Sequence, residues 1–166
     1  DDLDLAVNLM NSYYKHYRGT IGAPKEVIRN EWVSPGFNPE TDIRLIFSPD
    51  QELIGYIELW DSANPPVHPW VWWCVHPDHT NNGVGSKLLS WAETRARKAI
   101  DRCPENARVA FRSGADQSIS VAQKTMEEYG MDLIRHSFEM RIDMKVAPPE
   151  PQWPDGIRFS QLARLP

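Results

Sequence analysis

The strongest constraint on the fold lies in the middle of the chain. There an apolar strand-like run, Trp70-Val71-Trp72-Trp73-Cys74-Val75-His76, breaks at Pro77-Asp78 and passes through a polar turn into a long helix. The turn carries Gly83 and Gly85, and behind it Val84, Leu88, Ala92, Ala96 and Ile100 recur every four residues, with Leu89, Trp91 and Ala99 widening the stripe. The pattern predicts a helix over 83–100. A corner of this kind points several backbone N–H groups at one spot and adds the partial positive charge of a helix N-terminus. Two readings fit it. One is a cradle for an anion such as a pyrophosphate, where a side chain in place of Gly83 or Gly85 would block the approach of phosphate oxygens. The other is an ordinary corner with glycines for the bend.

The flanking segments have equally regular patterns. Leu5, Ala6, Leu9, Met10, Tyr13 and Tyr17 stand at helical spacing, so the first segment reads as an amphipathic helix ending near Gly19. Pro24 suits the start of a second helix, with Val27, Ile28 and Trp32 on its apolar side and Ser34-Pro35-Gly36 as its stop. Residues 43–47 and 53–60 read as the two strands of a hairpin around Ser48-Pro49-Asp50-Gln51. After the central helix come a strand over 107–111, a helix over 121–129 stopped by Gly130, and a strand over 133–142. This order predicts an α/β (α+β) domain with a mixed, mostly antiparallel sheet and helices on both faces.

Residues 147–154 hold four prolines in eight positions, the composition of an extended, semi-rigid linker. The organisation expected is a domain over 1–146, a linker over 147–155, and over 156–166 the start of a further element. A chain of 166 residues with a net charge of −5 can bury its own core but lacks the basic face that nucleic acid demands. No apolar run approaches the ~18 residues that span a bilayer. Cys74 and Cys103 have no metal-like spacing and form no disulfide framework, so a cytoplasmic setting is the expectation.

Thr80-x-x-Gly83-x-Gly85, preceded by a strand ending Val75-His76-Pro77 and followed by an apolar helix, resembles the signature of GNAT-type N-acetyltransferases, (Arg or Gln)-x-x-Gly-x-(Gly or Ala). The helix pair, the hairpin and the Tyr129-Gly130-Met131 turn fall in the same family order, so the resemblance covers residues 1 to about 144. It implies a GNAT fold and acetyl-CoA as cosubstrate. It places Thr80, Asn81, Asn82, Gly83, Val84, Gly85 and Ser86 around the pyrophosphate, and Cys74, Val75 and His76 along the pantetheine arm through backbone groups. It implies acetyl transfer to a primary amine of a small-molecule or peptide acceptor by direct attack. The Trp153-Pro154-Asp155-Gly156-Ile157 segment resembles the entry to a second GNAT domain, which makes such a domain an expected partner, and the chain an expected half of a tandem protein.

Three departures from the family pattern bear on catalysis. Thr80 stands where Arg or Gln is usual. Met126 stands where the family often has a proton-donating Tyr, leaving Tyr129, one turn on, as the substitute only if it points inward. Pro69 stands where a Glu often serves as base. An amine with a pKa near ~10 must lose a proton before attack. The candidates are Glu58 and Asp61 at the end of the hairpin and His68 or His76 beside the signature strand, with His68 favoured for its place at the mouth. Trp70 and Trp72 share one strand face and Trp73 takes the other, so one face is expected to pack the core and the other to line an acceptor pocket. The departures also suit a catalytically weak, CoA-binding half of a tandem protein with a structural or regulatory role. A nucleotide-binding P-loop fails, because that motif needs Gly-Lys-(Ser or Thr) where this chain has Gly85-Ser86-Lys87. With no strand ahead of the first helix, residues 156–162 are expected to cover the hairpin's open edge at 43–47, within one chain or swapped between two in a homodimer.

Overall fold

The computed structural model describes residues 1–22 and 24–157. Residues 1–133 form one compact unit, and the chain from Ile134 onward forms a second. In the first, α1 (Asp2–Arg18) begins at Asp1, whose carboxylate accepts from the Leu3 N–H at 2.7 Å. The helix has acidic residues in its first turn and basic ones in its last, and it ends on Gly19 at φ +67°, all in keeping with the helix dipole and a left-handed cap. α2 (Lys25–Trp32) follows Pro24. The sequence pattern does not signal α3 (Pro39–Asp42), a single turn held by Asn38, whose side chain accepts from the Glu40 N–H.

The hairpin forms as expected from β1 (Ile43–Phe47) and β2 (Leu53–Trp60), and β3 (Trp70–Val75) adds antiparallel to β2. α4 (Val84–Arg97) is the predicted long helix, shortened at its end by a 3₁₀ turn over Ile100–Arg102. The strand expected over 107–111 appears instead as the two-residue β4 (Arg112–Ser113), parallel to β3. α5 (Ser120–Glu128) then closes on Gly130 at φ +95°. The sheet order is β1-β2-β3-β4, a mixed sheet with helices on both faces. Both faces of β2 are therefore covered, and seven of its eight residues are buried, all but Trp60.

The face alternation of β2 and β3 organises everything else. Gly55 lies under Val84 and Leu88 of α4, so a Cβ there would come within 2.7 Å of Val84. One residue on, Tyr56 meets Trp32 of α2 and Trp72 of β3 on the opposite face. A buried ion network ties the corners together. Arg95 of α4 donates to Asp42 at 2.6 and 2.9 Å and to Asp61 at 2.9 Å, and Arg102 joins Asp61. Asp42 and Asp61 are each almost fully buried.

In the second unit the strand expected over 133–142 is absent, and residues 134–157 contain no helix or strand. Ile134, Phe138, Met140 and Ile142 alternate as a strand face should, but alternation marks a face and says nothing of a neighbour. A strand needs a second backbone to complete its ladder, and none pairs with this segment among the described residues. Pro154–Ile157 forms a turn closed by the Ile157 N–H on the Pro154 carbonyl at 3.1 Å. The rest of the strand expected over 156–162 lies outside the described residues. No described helix is long and apolar enough to cross a membrane.

Candidate functional site

Two features of β3 build the site. The first is its outer edge. The His76 N–H donates to the Ile54 carbonyl at 2.8 Å, and in the antiparallel register these residues face each other. Hydrogen-bonded pairs alternate along such a ladder. The backbone groups of Trp70, Trp72 and Cys74 and the His76 N–H therefore turn toward β2, and those of Val71, Trp73 and Val75 turn outward. On the outward side, β4 pairs only with the start of β3, in the register Trp70–Arg112 and Val71–Ser113, and the Arg112 N–H donates to the Pro69 carbonyl at 2.8 Å. Beyond that point the strands part, and Trp73 and Val75 present backbone N–H and C=O groups to an open edge. The Cys74 backbone groups and the His76 N–H, expected along a pantetheine arm, face β2, because a one-residue step along a strand reverses the direction of its backbone groups, and those of Val75 face the open edge. The Ser113 hydroxyl, where β3 and β4 separate, is buried without a hydrogen-bond partner among the described residues.

That edge leads into the turn. His76 caps the 3₁₀ turn Pro77–His79 through its ring Nδ1, which accepts from the Asp78 N–H at 3.3 Å. The Thr80 hydroxyl donates back to the Pro77 carbonyl at 3.3 Å, and Asn81 and Asn82 are exposed. Gly83 is the N-cap of α4 at φ +71°, with no side-chain cap and nothing within 4 Å of a would-be Cβ. The first helical bond runs from the Lys87 N–H to the Gly83 carbonyl, so the N–H groups of Val84, Gly85 and Ser86 precede the helical ladder. The expected cradle is thus open at Gly83. Gly85 has another reason to be glycine. It is buried, and a Cβ there would lie 2.9 Å from Thr125 of α5 and 3.0 Å from the Trp73 ring. It permits close packing of α4 against α5 and β3.

The second feature is a cavity of about 580 Å³ on the opposite face of the hairpin, between α1, α2 and the sheet. Trp60, Trp70, Trp72 and Tyr14 form its aromatic walls, and Glu58 and Glu31 are its carboxylates. Trp73 is buried on the other side, so the expected division of the tryptophans between pocket and core holds. Glu58 is 7% exposed. Tyr56 donates to its Oε2 at 2.6 Å and Trp60 Nε1 to its Oε1 at 3.0 Å. Trp32 Nε1–H donates to the Tyr56 oxygen at 3.1 Å, which commits the Tyr56 proton to Glu58. Burial raises the Glu58 carboxyl above its ordinary range, its two hydrogen bonds oppose this, and the charge of Glu31 adds to it. Glu31 is raised in the same direction by its own burial.

The other base candidates stand elsewhere. His68 is exposed and accepts from Arg112 at 2.9 Å, and it does not line the cavity. Asp61 is held by Arg95 and Arg102. Tyr129 packs at the margin of the core, its hydroxyl donates to Glu93 of α4 at 2.7 Å, and it lines neither the cavity nor the cleft beside β3. The site therefore has an edge of free backbone groups, an uncapped helix N-terminus at Gly83 and a buried carboxylate in an aromatic cavity, all referred to one strand pair. Reasoning from sequence missed Glu31 and the outward groups of Trp73. The first sits on a helix whose fold against the sheet is non-local. The second was available from strand alternation once the register was known.

Comparison with known proteins gives a family match and a fold match. The family model described as "Acetyltransferase (GNAT) family" matches residues 7–126. The chain is 32% identical over 114 residues to a mycothiol acetyltransferase of Amycolatopsis mediterranei, covering 68% of this chain and 34% of that protein. It is 32% identical over 72 residues to an S-alkylcysteine N-acetyltransferase of Bacillus subtilis, covering 40% of each. It thus spans well under half of either relative. A GCN5-related N-acetyltransferase from Sphaerobacter thermophilus superposes with a TM-score of 0.69 at 23% identity, covering 78% of this chain and 40% of that one. The GNAT domain of S. lividans PAT does so with a TM-score of 0.57 at 20% identity, covering 84% and 80%.

Proposed function

For this chain, which belongs to the GNAT family of acetyltransferases, we propose transfer of an acetyl group from acetyl-CoA to a primary amine by direct attack in a ternary complex. The observation that carries the reading is Glu58, a buried carboxylate held by two donors inside an aromatic cavity, on the strand pair whose free edge runs into the helix N-terminus. The names of the two curated relatives, acetyl transfer in both and N-acetylation of S-alkylcysteine in one, support the reaction type.

The residues suit acetyl-CoA on three counts. The N–H groups of Val84, Gly85 and Ser86 offer donors to a pyrophosphate, and Gly83 leaves them accessible. Thr80, Asn81 and Asn82 border the same turn. The outward groups of Trp73 and Val75 offer a backbone ladder to the amides of a pantetheine arm, and the unpartnered Ser113 hydroxyl lies at the head of that edge. When bound, the cosubstrate supplies an activated acetyl thioester. The fixed edge N–H groups are donors of the kind that stabilise a developing oxyanion.

On the acceptor side, Glu58 takes the proton from the incoming ammonium. Its raised affinity for protons brings it closer to the amine's, and Tyr56 and Trp60 keep both oxygens in place during the exchange. The cavity walls exclude water and bind the body of the acceptor. A second reading, a CoA-binding half with little turnover, draws support from the missing acid. Met126 occupies the family's Tyr position, and Tyr129 is spent on Glu93. Pairing with a second GNAT domain, suggested by the proline-rich segment 147–154, belongs to this same proposal. Thermal-shift titration and a thiol-release assay over an amine panel separate the readings. Stabilisation by acetyl-CoA but not ATP, with CoA release on adding amine, supports transfer. Stabilisation without release supports the second reading, and no stabilisation contradicts both.

A further inference from the structure

The cavity that holds Glu58 contains a second carboxylate with no task in the chemistry above. Glu31 lies on α2, lines the same cavity, and its side chain accepts no hydrogen bond and joins no ion pair among the described residues. Leaving two carboxylates in one partly closed, aromatic-walled space is unfavourable unless a cation comes between them or beside them. One cation already lines the cavity, Arg18, but its guanidinium is turned to other partners. It pairs with Asp116 at 3.5 Å and lies 6.0 Å from the centre of the Tyr14 ring. The charge at Glu31 and Glu58 is left for a ligand to balance.

From this geometry we infer that the acceptor is a primary amine on an apolar or aromatic body, without a carboxylate beside the amine, and that Glu31 is the residue that enforces this choice. The inference rests on the acceptor cavity of the proposed function. An ammonium directed to Glu58 has Glu31 as a second counter-charge, while Trp60, Trp70 and Trp72 offer faces to an aromatic or aliphatic body and to the cation itself. A free α-amino acid presents the same ammonium with a carboxylate one carbon away. That carboxylate enters a space already lined by the carboxyl groups of Glu31 and Glu58, with no described cation turned to it and where Coulomb repulsion is weakly screened. Glu31 is thus a specificity-determining residue that acts by rejecting one class of amine as well as by attracting another.

The test compares phenethylamine with phenylalanine, which share a body and an ammonium and differ by the carboxylate. Binding is read by quenching of the cavity tryptophans at neutral pH. The protein should bind phenethylamine roughly tenfold or more tightly than phenylalanine. Glu31→Gln, on a half-exposed helical side chain with no partner to lose, should keep the fold and narrow the gap to within about threefold. It should do so by weakening phenethylamine and admitting phenylalanine. Equal binding of the two ligands, an unchanged gap in Glu31→Gln, or tighter binding of phenylalanine through Arg18 each overturns the inference. Because the readout is binding, a preference that persists without any turnover counts against acetyl transfer and leaves the role of Glu31 standing.

Discussion

Replacing Glu58 with Gln separates the chemistry of the cavity from its stability. The side chain keeps its size, and the hydrogen bonds fix how the amide must sit. Trp60 Nε1–H requires an acceptor, so the amide oxygen takes the Oε1 place, and the NH₂ group turns to the Tyr56 oxygen. Two charge-assisted bonds become neutral ones, a loss of about 1 kcal/mol each, and the buried Tyr56 proton loses its acceptor, a further cost of about 1–3 kcal/mol. Against this stands the relief of a buried charge, a penalty of several kcal/mol before compensation. The sign with pH follows from linkage. The folded-state carboxyl has a pKa raised by burial, so the folded protein holds this proton more tightly than the unfolded chain. Stability from this group is then greatest at low pH and falls as pH rises from the ordinary carboxyl range through the raised folded value. Glu58→Gln should therefore melt at or above the parent temperature at pH 8 and show a smaller advantage, or none, at pH 4. The amine acetylation rate should fall between about 10² and 10⁴-fold, the range for loss of a general base. Differential scanning calorimetry at both pH values and a thiol-release assay test the pair of outcomes. A rate within threefold of the parent would refute the role of Glu58, and a lower melting temperature at pH 8 would refute the account of its burial.

Other substitutions test other parts of the site. Gly83→Ala has room for its methyl group but must adopt φ +71°, so it should cost about 1 kcal/mol in denaturant unfolding and weaken CoA binding tenfold or more by calorimetry. Gly85→Val should lower stability by about 1–3 kcal/mol through contact with Trp73 and Thr125, whatever it does to CoA. Tyr129→Phe should leave turnover within threefold, because its hydroxyl is engaged by Glu93 and Ser90 of α4 and lines neither the cavity nor the cleft beside β3. Arg95→Met leaves Asp42 and Asp61 short of their shared partner in a buried setting, and a stability loss of about 3–5 kcal/mol in chemical denaturation is expected.

Much of this architecture was legible in the sequence because its signals are local. The four-residue recurrence behind Gly83 gave α4, the Pro49-Asp50 turn gave the hairpin, and Gly19 and Gly130 marked helix ends that the structure shows at φ +67° and +95°. The turn and helix start at Gly83 were legible for the same reason. What failed depends on neighbours. The strand expected over 133–142 had the right alternation but no partner ladder, and the strand near 107–111 is reduced to two residues where β3 accepts them. The positions of the candidate bases depend on neighbours too. His68 is next to the signature strand in sequence yet bonds Arg112 outside the cavity, while Glu58, a candidate at the end of the hairpin, lines it. Gly85 shows how one residue type can answer two demands. Sequence spacing suggests ligand approach, and the contacts with Thr125 and Trp73 add a demand from helix packing.

The most direct test of the central claim is a titration of ¹⁵N-labelled protein with CoA, followed by amide chemical shifts. The account predicts that the largest changes fall on Gly83, Val84, Gly85 and Ser86 and on the outward-facing Trp73 and Val75, with Cys74 and His68 little affected. Shifts concentrated elsewhere, or absent at saturating CoA, would contradict it.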